Sequence, residues 1–414
     1  MIKILNASEA ERAATSRARD CSRCDNVVKP IIESIRRDGD MALLRYAREL
    51  DGLGAQAIRV SEQELADADT RLCANIRQAM QIAIRNIRQF AEAQLPGERF
   101  EEFSPGRKLG WIVRPLDAVG CYVPSGRYPL PSTLLMTAVL AQAAGVSRIC
   151  ICSPRPSPEM LACARMLGLK EVYRVGGAQA IAAMAMGTES IARVDRIVGP
   201  GNQYVAAAKK LLIGEVGIDF AAGPTEILIL ALSGDARVIA ADMLAQAEHD
   251  TTACAMLVTT SRPLAKEVQE EINRQLQTLP TLEVAREAIC GASFIALVED
   301  SEQALALTNA IAPEHLSLHE TAMLSKIKNA GTVFLGPHSP ESAGDYAAGP
   351  SHVLPTGGAA RLRGGLSAAD FVKVIAIQQF TLPALQELAP VITTLARAEG
   401  LEAHARAVEV RSVN

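Results

Sequence analysis

The chain has 414 residues, 49% of them hydrophobic and 21% charged, so it is long enough for two or three structural units and can bury a sizeable apolar core. The formal net charge is −4 and no long basic run occurs, which argues against nucleic-acid binding and against a polybasic membrane patch. A polar N-terminus and the lack of an apolar run of about 18 residues predict neither a signal peptide nor a transmembrane helix, so we expect a cytoplasmic protein.

The first quarter of the chain has the apolar spacing of helices. Apolar residues recur at near-helical intervals over residues 31–47 and again over 62–94, where Pro96-Gly97 supplies a stop signal. Cys21 and Cys24 form a lone CxxC in this region, without the second pair that a zinc site would need. We expect this CxxC, like the other seven cysteines, to hold reduced thiols.

From Gly110 onward, short apolar runs alternate with helical stretches in two successive series that meet near Gly223-Pro224. Such alternation predicts parallel sheets covered by helices on both faces. The predicted strands are 111–113, 119–123, 149–152, 172–175 and 196–198 in the first series, and 227–230, 256–259, 294–297 and 332–335 in the second. The predicted helices are 133–143, 158–167, 178–186, 204–212, 236–247, 264–276 and 302–309. From about Ser367 the tail is predicted to be helical, with stops at Pro383 and Pro390.

All six histidines lie after residue 248, so any imidazole ligand or base comes from the second half of the chain. Gln246 and His249 are three residues apart at the end of a predicted helix, on one face, where both can reach one metal ion. The alternative is a surface histidine favoured by the helix dipole.

Two further polar groups occur in the second half. Asp345 and His352 lie in a stretch rich in Gly and Pro, where a fixed carboxylate suits metal ligation, although a surface loop with a capping Asp is the alternative. Glu314 and His315 are adjacent in IAPEHLSL and could divide acid–base work. Alternatively, Pro313 opens a helix turn and the pair merely caps a short element.

Three glycine-containing turns follow predicted strands: CYVPSGRYPLPS, VGGAQAIAA with Gln179, and VGPGNQYV with Asn202. Ligands of open α/β sheets bind at such strand ends, so the turns favour a dinucleotide crevice. The standard GxGxxG is missing because Tyr204 stands where its third Gly would be. Ordinary tight turns are the alternative.

Taken together, these segments resemble the histidinol dehydrogenase family from about Asp25 to Arg411. The matching stretches occur in the family's order: YVPSG, VGGAQAIAA, VGPGN, AGPTEIL, LAQAEHD, APEHL, GDYAAGPSHVLPTGG and EGLEAHARAVEVR. The resemblance implies zinc- and NAD-dependent four-electron oxidation of L-histidinol to L-histidine through L-histidinaldehyde, as in histidine biosynthesis.

The resemblance also implies an α/β fold of two Rossmann-like βα domains, each with an incomplete doubly wound parallel sheet, with helical N-terminal and C-terminal extensions. Residues 1–24 would form the N-terminal extension, 25–121 with 227–366 the main catalytic and zinc domain, and 122–226 an inserted NAD domain. Residues 367–414 would form a helical tail that completes the active site of the partner in a homodimer.

The resemblance assigns roles to individual residues. It implies zinc ligands at Gln246, His249, Asp345 and His404, a catalytic pair at Glu314 and His315, and an NAD site lined by Tyr122, Gln179 and Asn202. Thr225, His352 and Glu399 would lie around the substrate together with the zinc ligands and the catalytic pair; Thr225 stands where the family commonly has Ser.

Three positions depart from the family pattern: Ser125 replaces a usual Gly, Ser317 a frequent acid, and FVKVIAIQQF lacks the usual Lys-Arg pattern. These departures leave two rival interpretations open. The first is a sister enzyme with the same cofactors that oxidises another small alcohol, such as a sulfonated diol. The second is a non-catalytic zinc-binding homologue, against which the intact pair of Glu314 and His315 argues.

Overall fold

The structure is a computed structural model that describes residues 1–15, 22–54, 57–125, 128–220 and 223–412. Its described strands are Lys3–Asn6 (β1), Arg99–Ser104 (β2), Arg107–Pro115 (β3), Ala118–Tyr122 (β4), Arg148–Cys152 (β5), Glu171–Tyr173 (β6), Arg196–Val198 (β7), Gly217–Ile218 (β8), Glu226–Leu230 (β9), Cys254–Thr259 (β10), Phe294–Leu297 (β11), His315–Leu318 (β12), Thr332–Leu335 (β13) and Val372–Phe380 (β14).

The described α-helices are Ala7–Thr15 (α1), Ser22–Asp51 (α2), Glu62–Arg71 (α3), Ala74–Ala93 (α4), Pro131–Ala143 (α5), Pro158–Met166 (α6), Gly177–Met186 (α7), Gln203–Leu211 (α8), Ala236–Ala247 (α9), Arg262–Leu276 (α10), Leu282–Cys290 (α11), Ser301–Ile311 (α12), Glu341–Tyr346 (α13), Leu382–Ala398 (α14) and Glu402–Ser412 (α15). Short 3-10 turns occur at Thr321–Lys326, Ala359–Arg361 and Ala368–Phe371. The chain divides into two compact units, Met1–Gln94 with Asp117–Phe371, and Leu95–Leu116 with Val372–Asn414.

The first unit contains a six-stranded parallel sheet in the order β1-β11-β10-β9-β12-β13. Its central strands β9 and β10 are buried along their whole length, as expected for parallel strands that helices cover on both faces. Strand β1 was not predicted; it becomes an edge strand because Lys3–Asn6 pair with Phe294–Leu297, almost three hundred residues later in the chain. Strand β12, which follows Pro313, was missed as well, and it replaces the helix turn considered for that proline.

The first unit also contains a five-stranded parallel sheet in the order β6-β5-β4-β7-β8. Numbered along the chain, this order is 3-2-1-4-5, the order of a doubly wound fold without its sixth strand, and the strand order reverses between β4 and β7. Small side chains let the helices pack closely on this sheet: α7 is buried from Ala178 to Ala185. The fold class is therefore confirmed as α/β with parallel sheets, while the finer domain boundaries stay predictions.

The second unit is an antiparallel sheet, β14-β3-β2, together with the helices α14 and α15. Two sequence predictions are corrected here. The predicted strand 111–113 lies inside β3, which is antiparallel, and residues 372–380 form β14 rather than helix because all nine residues pair with β3. The two expected stops are also wrong: Pro383 lies in the first turn of α14, where no N–H is needed, and Pro390 lies inside the same helix.

Two composition-based expectations can be compared with the structure. Among the described residues, no helix is both long and apolar enough to cross a membrane. The eight cysteines of the described ranges are free thiols, and six of them are buried, in line with their predicted role as small core residues. Cys21 lies outside the described residues, so the CxxC cannot be compared.

Candidate active site

A cleft of about 600 Å³ in the first unit collects most of the predicted site residues. From the five-stranded sheet it is lined by Pro124 and Asn202, which follow the carboxyl ends of β4 and β7. This position is the reversal point at which open α/β sheets bind ligands. From the six-stranded sheet it is lined by Thr225, Glu314 and His315, which lie at the amino ends of β9 and β12. The two sheets therefore contribute opposite edges to one cleft.

His315 is the first residue of β12 and is almost fully buried. Its Nδ1 lies 3.0 Å from the backbone carbonyl oxygen of Glu226, and its ring is stacked on Phe334 with centroids 6.1 Å apart. Burial lowers the pKa of His315 to about 4, so the imidazole is neutral at pH 7. A carbonyl oxygen accepts a hydrogen bond only from a nitrogen that carries a proton, so the proton of the neutral imidazole is on Nδ1. Within the described residues the buried Nε2 has no hydrogen-bond partner, which leaves it free to act as a base.

Glu314 is also buried, and its Oε2 accepts two hydrogen bonds. The hydroxyl of Thr225 and the backbone N–H of Glu226 both donate to it at 2.8 Å. Burial raises the pKa of Glu314 well above its usual range, although both hydrogen bonds oppose the shift. A raised pKa makes this carboxyl group a stronger proton acceptor, as a general base requires.

Glu341 completes this cluster and was not identified from the sequence. It begins α13, is 3% exposed, and places Oε1 3.2 Å from Nδ1 of His315. The amide nitrogen of Gln246 donates to Thr225 Oγ1 at 2.8 Å, and the amide oxygen faces the carboxyl group of Glu341. The sequence does hold a signal for Glu341, because it precedes Asp345 by four residues and both lie on one face of α13.

Asp345 is the residue around which the predicted zinc site gathers. Its Oδ2 lies 3.7 Å from Nε2 of His249, and ligand atoms of His315, Glu341 and Asp345 all lie within 4.8 Å of one another. Two groups that bind one zinc ion at about 2.0–2.2 Å are separated by about 3.5 Å, so the spacing of His249 and Asp345 suits a shared ion. Gln246 reaches the same cluster through Glu341, and the residues present therefore fit zinc.

The remaining predicted residues around the substrate fall into two groups. His352 lines the cleft and contacts the backbone oxygen of Asp345 through Nδ1 at 2.9 Å, so it holds the last turn of α13, which carries this carboxylate. Glu399 ends α14 and His404 lies in α15, both within the second unit, and their contribution to the site stays a prediction.

The turn after β7 is tightly held at the predicted cofactor side. Asn202 caps α8 by accepting from the N–H groups of Tyr204 and Val205 at 3.0 and 3.1 Å. Gly199 has a φ of 112°, and a Cβ there would collide with the backbone oxygen of Tyr122, so only glycine allows this approach.

A buried ion pair supports the same turn from behind. Lys209 Nζ lies 2.5 Å from Asp219 Oδ1, and the side chains are only 3% and 0% exposed. Asp219 also accepts from the N–H of Gly199 at 2.7 Å, while Lys209 donates to the carbonyl oxygen of Gly199 at 2.6 Å. Both backbone polar groups of this glycine are therefore fixed by buried charges.

Tyr122 and Gln179 are buried, and neither is among the described residues that line the cleft. The Tyr122 hydroxyl accepts from the N–H of Gly177 at 3.2 Å, and Gln179 donates to Asp51 Oδ2 at 3.0 Å. Asp51, the last residue of α2, also accepts from the N–H of Gly176 at 2.9 Å. In the structure these side chains hold the turn that opens α7, and their cofactor role stays a prediction.

Comparison with known proteins agrees with this geometry. A family model described as histidinol dehydrogenase matches residues 14–412. The chain belongs to the histidinol dehydrogenase family. Histidinol dehydrogenases from Bacillus anthracis and Thermus thermophilus are 46% and 47% identical to it over 392 residues, covering 93% and 94% of this chain and 91% and 94% of the relatives.

Solved structures show the same relationship. A histidinol dehydrogenase from Elizabethkingia anophelis has a TM-score of 0.94 at 37% identity and covers 99% of this chain and 98% of its own. An acetylating aldehyde dehydrogenase from Geobacillus thermoglucosidasius, at 12% identity and a TM-score of 0.51, covers 91% and 96% and shares the fold alone. The resemblance found in the sequence is thus confirmed for the family.

The three departures from the family pattern can now be located. Ser125 follows β4, and its hydroxyl accepts from the N–H of Arg155 at 3.0 Å, so it stabilises a loop. Ser317 is buried inside β12, and FVKVIAIQQF contains β14 of the second unit. Neither Ser125 nor Ser317 is among the described residues that line the cleft.

Proposed function

We propose that the chain catalyses the zinc-assisted, NAD-dependent four-electron oxidation of L-histidinol to L-histidine through L-histidinaldehyde, in the cytoplasm and as part of histidine biosynthesis. The observation that supports this most directly is the neutral His315, whose Nε2 has no hydrogen-bond partner among the described residues and whose Nδ1 lies 3.7 Å from the buried carboxyl of Glu314, in the cleft that Asn202 also lines. Names of relatives that are 46% identical over nearly the whole chain support the choice of substrate.

The first oxidation needs a base for the alcohol proton. His315 Nε2 takes this proton, and the positive charge that develops is shared with Nδ1, whose proton stays hydrogen-bonded to the Glu226 carbonyl oxygen. The Asn202 side of the cleft would hold NAD, which would supply the hydride acceptor for the alcohol carbon. Loss of one proton and one hydride turns the alcohol into the aldehyde.

The second oxidation needs a water molecule added to the aldehyde. Glu314 can take a proton of this water while the water oxygen attacks the carbonyl carbon, and His315 can return the proton of the first step to the carbonyl oxygen, which gives a gem-diol. The Thr225 hydroxyl and the Glu226 N–H hold Oε2 of Glu314 in place for this transfer. A second loss of a proton and a hydride, the latter to a second NAD, yields the carboxylic acid, so that the balance is two NADH per histidinol.

Gln246, His249 and Asp345 would hold zinc together with the partner subunit's His404, and the ion would bind and orient the nitrogen atoms of the amino alcohol. We infer a homodimer in which the tail of one protomer supplies His404 and Glu399 to the site of the other. What supports this inference is that the first unit offers one imidazole, one carboxylate and one amide, while His404 belongs to the second unit.

The substrate profile tests the proposed function. Purified zinc-loaded protein is assayed for NADH formation with L-histidinol and, in parallel, with 2,3-dihydroxypropane-1-sulfonate and short diols. We expect about two NADH per L-histidinol consumed and little turnover of the sulfonated diol. Turnover of the diol without turnover of L-histidinol would identify a sister enzyme. Bound zinc with no turnover of any of these alcohols would identify the non-catalytic homologue.

Mixed dimers test the shared site. His249→Asn and His404→Asn variants are each expected to lose zinc and activity. After denaturation and joint refolding, a mixed dimer has one intact site if sites are shared, so an equal mixture should regain about one quarter of wild-type activity. No recovery in dimers shown to be mixed by mass would contradict the shared site.

A further inference from the structure

Glu341 joins the proposed base to a predicted zinc ligand. Its Oε1 lies 3.2 Å from Nδ1 of His315, and the side-chain amide of Gln246 faces the same carboxyl group. The side chain is 3% exposed. We propose that Glu341 is a positioning residue, which fixes the His315 ring so that Nδ1 keeps its proton and Nε2 stays free. This inference rests on the proposed function, because it assigns Glu341 a part in the same acid–base step.

The surroundings of Glu341 do not resemble those of a structural carboxylate. Its charged neighbours in the described part of the chain are three further carboxyl groups, those of Asp345, Glu314 and Asp242. Burying a carboxyl among other carboxyls opposes folding, whereas a structural buried acid is normally paired with a cation. Unfavourable arrangements of this kind are concentrated at functional sites, where the geometry they maintain is needed.

The contacts of His315 show what Glu341 adds. The backbone oxygen of Glu226, 3.0 Å from Nδ1, selects the tautomer but leaves the ring able to swing about that single contact. Glu341 Oε1 lies 3.2 Å from the same nitrogen, and Phe334 packs on the ring face. Two oxygen atoms beside Nδ1 and one packed face define the ring plane, as the orienting partner does for other catalytic imidazoles.

Two variants separate positioning from packing. Glu341→Gln keeps the shape and one acceptor oxygen, whereas Glu341→Leu keeps approximate volume and removes both acceptors. The matched control is Asp242→Asn, which alters a half-buried carboxyl of α9 near Glu341. The measurements are kcat and KM for L-histidinol, zinc content, and the tautomer of His315 from the nitrogen chemical shifts of ¹⁵N-histidine-labelled protein, assigned with His315→Asn.

We expect Glu341→Leu to lower kcat about 100-fold, with KM and zinc content nearly unchanged, since correct placement of an acid–base group contributes about 10²–10⁴-fold. His315 should then populate both neutral tautomers. The kcat of Glu341→Gln should be about tenfold higher than that of Glu341→Leu, because glutamine restores one acceptor oxygen. Asp242→Asn should stay within about threefold of wild type and keep a single tautomer.

Three results would overturn the proposal: a kcat of Glu341→Leu within threefold of wild type, a loss of zinc in proportion to the loss of activity, or an unchanged His315 tautomer in both variants. If Glu341→Leu does not fold, the kcat of Glu341→Gln and the His315 tautomer in that variant decide the proposal. Failure of the proposed function is distinguishable, because wild-type protein would then not oxidise L-histidinol, while the tautomer measurement would still report on Glu341.

Discussion

The two parallel sheets of the first unit use opposite edges for opposite purposes. At the carboxyl edge of the five-stranded sheet, polar side chains bind backbone groups: Asp219 accepts from Gly199, Asp51 from Gly176, and Asn202 from the first turn of α8. These bonds give the turns a fixed shape and leave the backbone to face a ligand.

At the amino edge of the six-stranded sheet, polar side chains bind the backbone of Glu226 and also lie close to one another. Glu314, His315 and Glu341 are buried together with shifted pKa values, and the Nε2 atom of His315 is unpartnered among the described residues. The carboxyl edge of the five-stranded sheet therefore provides a binding surface and is called the binding edge. The amino edge of the six-stranded sheet provides reactivity and is called the reactive edge. Substitutions at the two edges should therefore fail in different ways.

The largest effect is expected at the reactive edge, from His315→Asn. Removal of the base should lower kcat by about 10²–10⁴-fold while zinc stays bound. The control is His319→Asn, at the other end of β12, which should keep most activity because that ring lies outside the cleft residues. NADH formation and metal analysis measure both outcomes, and equal activity of His315→Asn and wild type would refute the base.

A substitution at the binding edge should lower the stability of the folded protein. Lys209→Met leaves Asp219 as an unpaired buried charge, which should reduce the free energy of unfolding by about 3–5 kcal/mol. Urea denaturation measures the loss. Lys210→Met, at the exposed neighbouring position of α8, is the matched control and should change stability by less than about 0.5 kcal/mol. A loss below 1 kcal/mol in Lys209→Met would show that this ion pair does not support the turn.

The pH dependence of stability should come from the reactive edge, because the five-stranded sheet contains no histidine. The folded pKa of His315, about 4, lies below the value near 6.5 of the unfolded chain. The neutral imidazole therefore stabilises the fold fully above pH 6.5, and this contribution is lost as the pH falls toward 4, in total about 3 kcal/mol.

Urea denaturation of wild type and His315→Asn between pH 5 and pH 8 isolates that contribution. The wild type should lose about 2 kcal/mol more than the variant on going from pH 8 to pH 5. Parallel stability curves for the two proteins would contradict the lowered pKa of His315.

The smallest effect is expected from Asp51→Asn at the binding edge. This substitution weakens the two hydrogen bonds that fix Gly176 and Gln179, and should raise KM for NAD about tenfold with kcat nearly unchanged. Glu49→Gln, exposed on the same helix, is the control. A fall in kcat without a change in KM would place Asp51 in the chemistry and break the distinction between the edges.

Much of the fold was determined locally and could be read from the sequence. Strands β7, β11 and β13 and helix α9 have the predicted bounds, and the other predicted helices and strands of the two parallel sheets lie within a few residues of theirs. The motif set was enough to identify the family, because glycine turns and clustered polar residues are properties of short segments. Glu314, His315 and Asn202 were all found in this way, and all three line the cleft.

Tertiary structure alone decided the rest. Strands β1 and β14 exist because distant segments supply their hydrogen-bond partners, and no local periodicity shows that pairing. The same holds for Glu341, whose importance lies in contacts with His315 and Gln246, 26 and 95 residues away in the chain. The sequence likewise did not determine which edge of the six-stranded sheet faces the cleft. Residues that are near in the chain specify each βα segment, whereas the site forms where βα segments that are distant in the chain pack together.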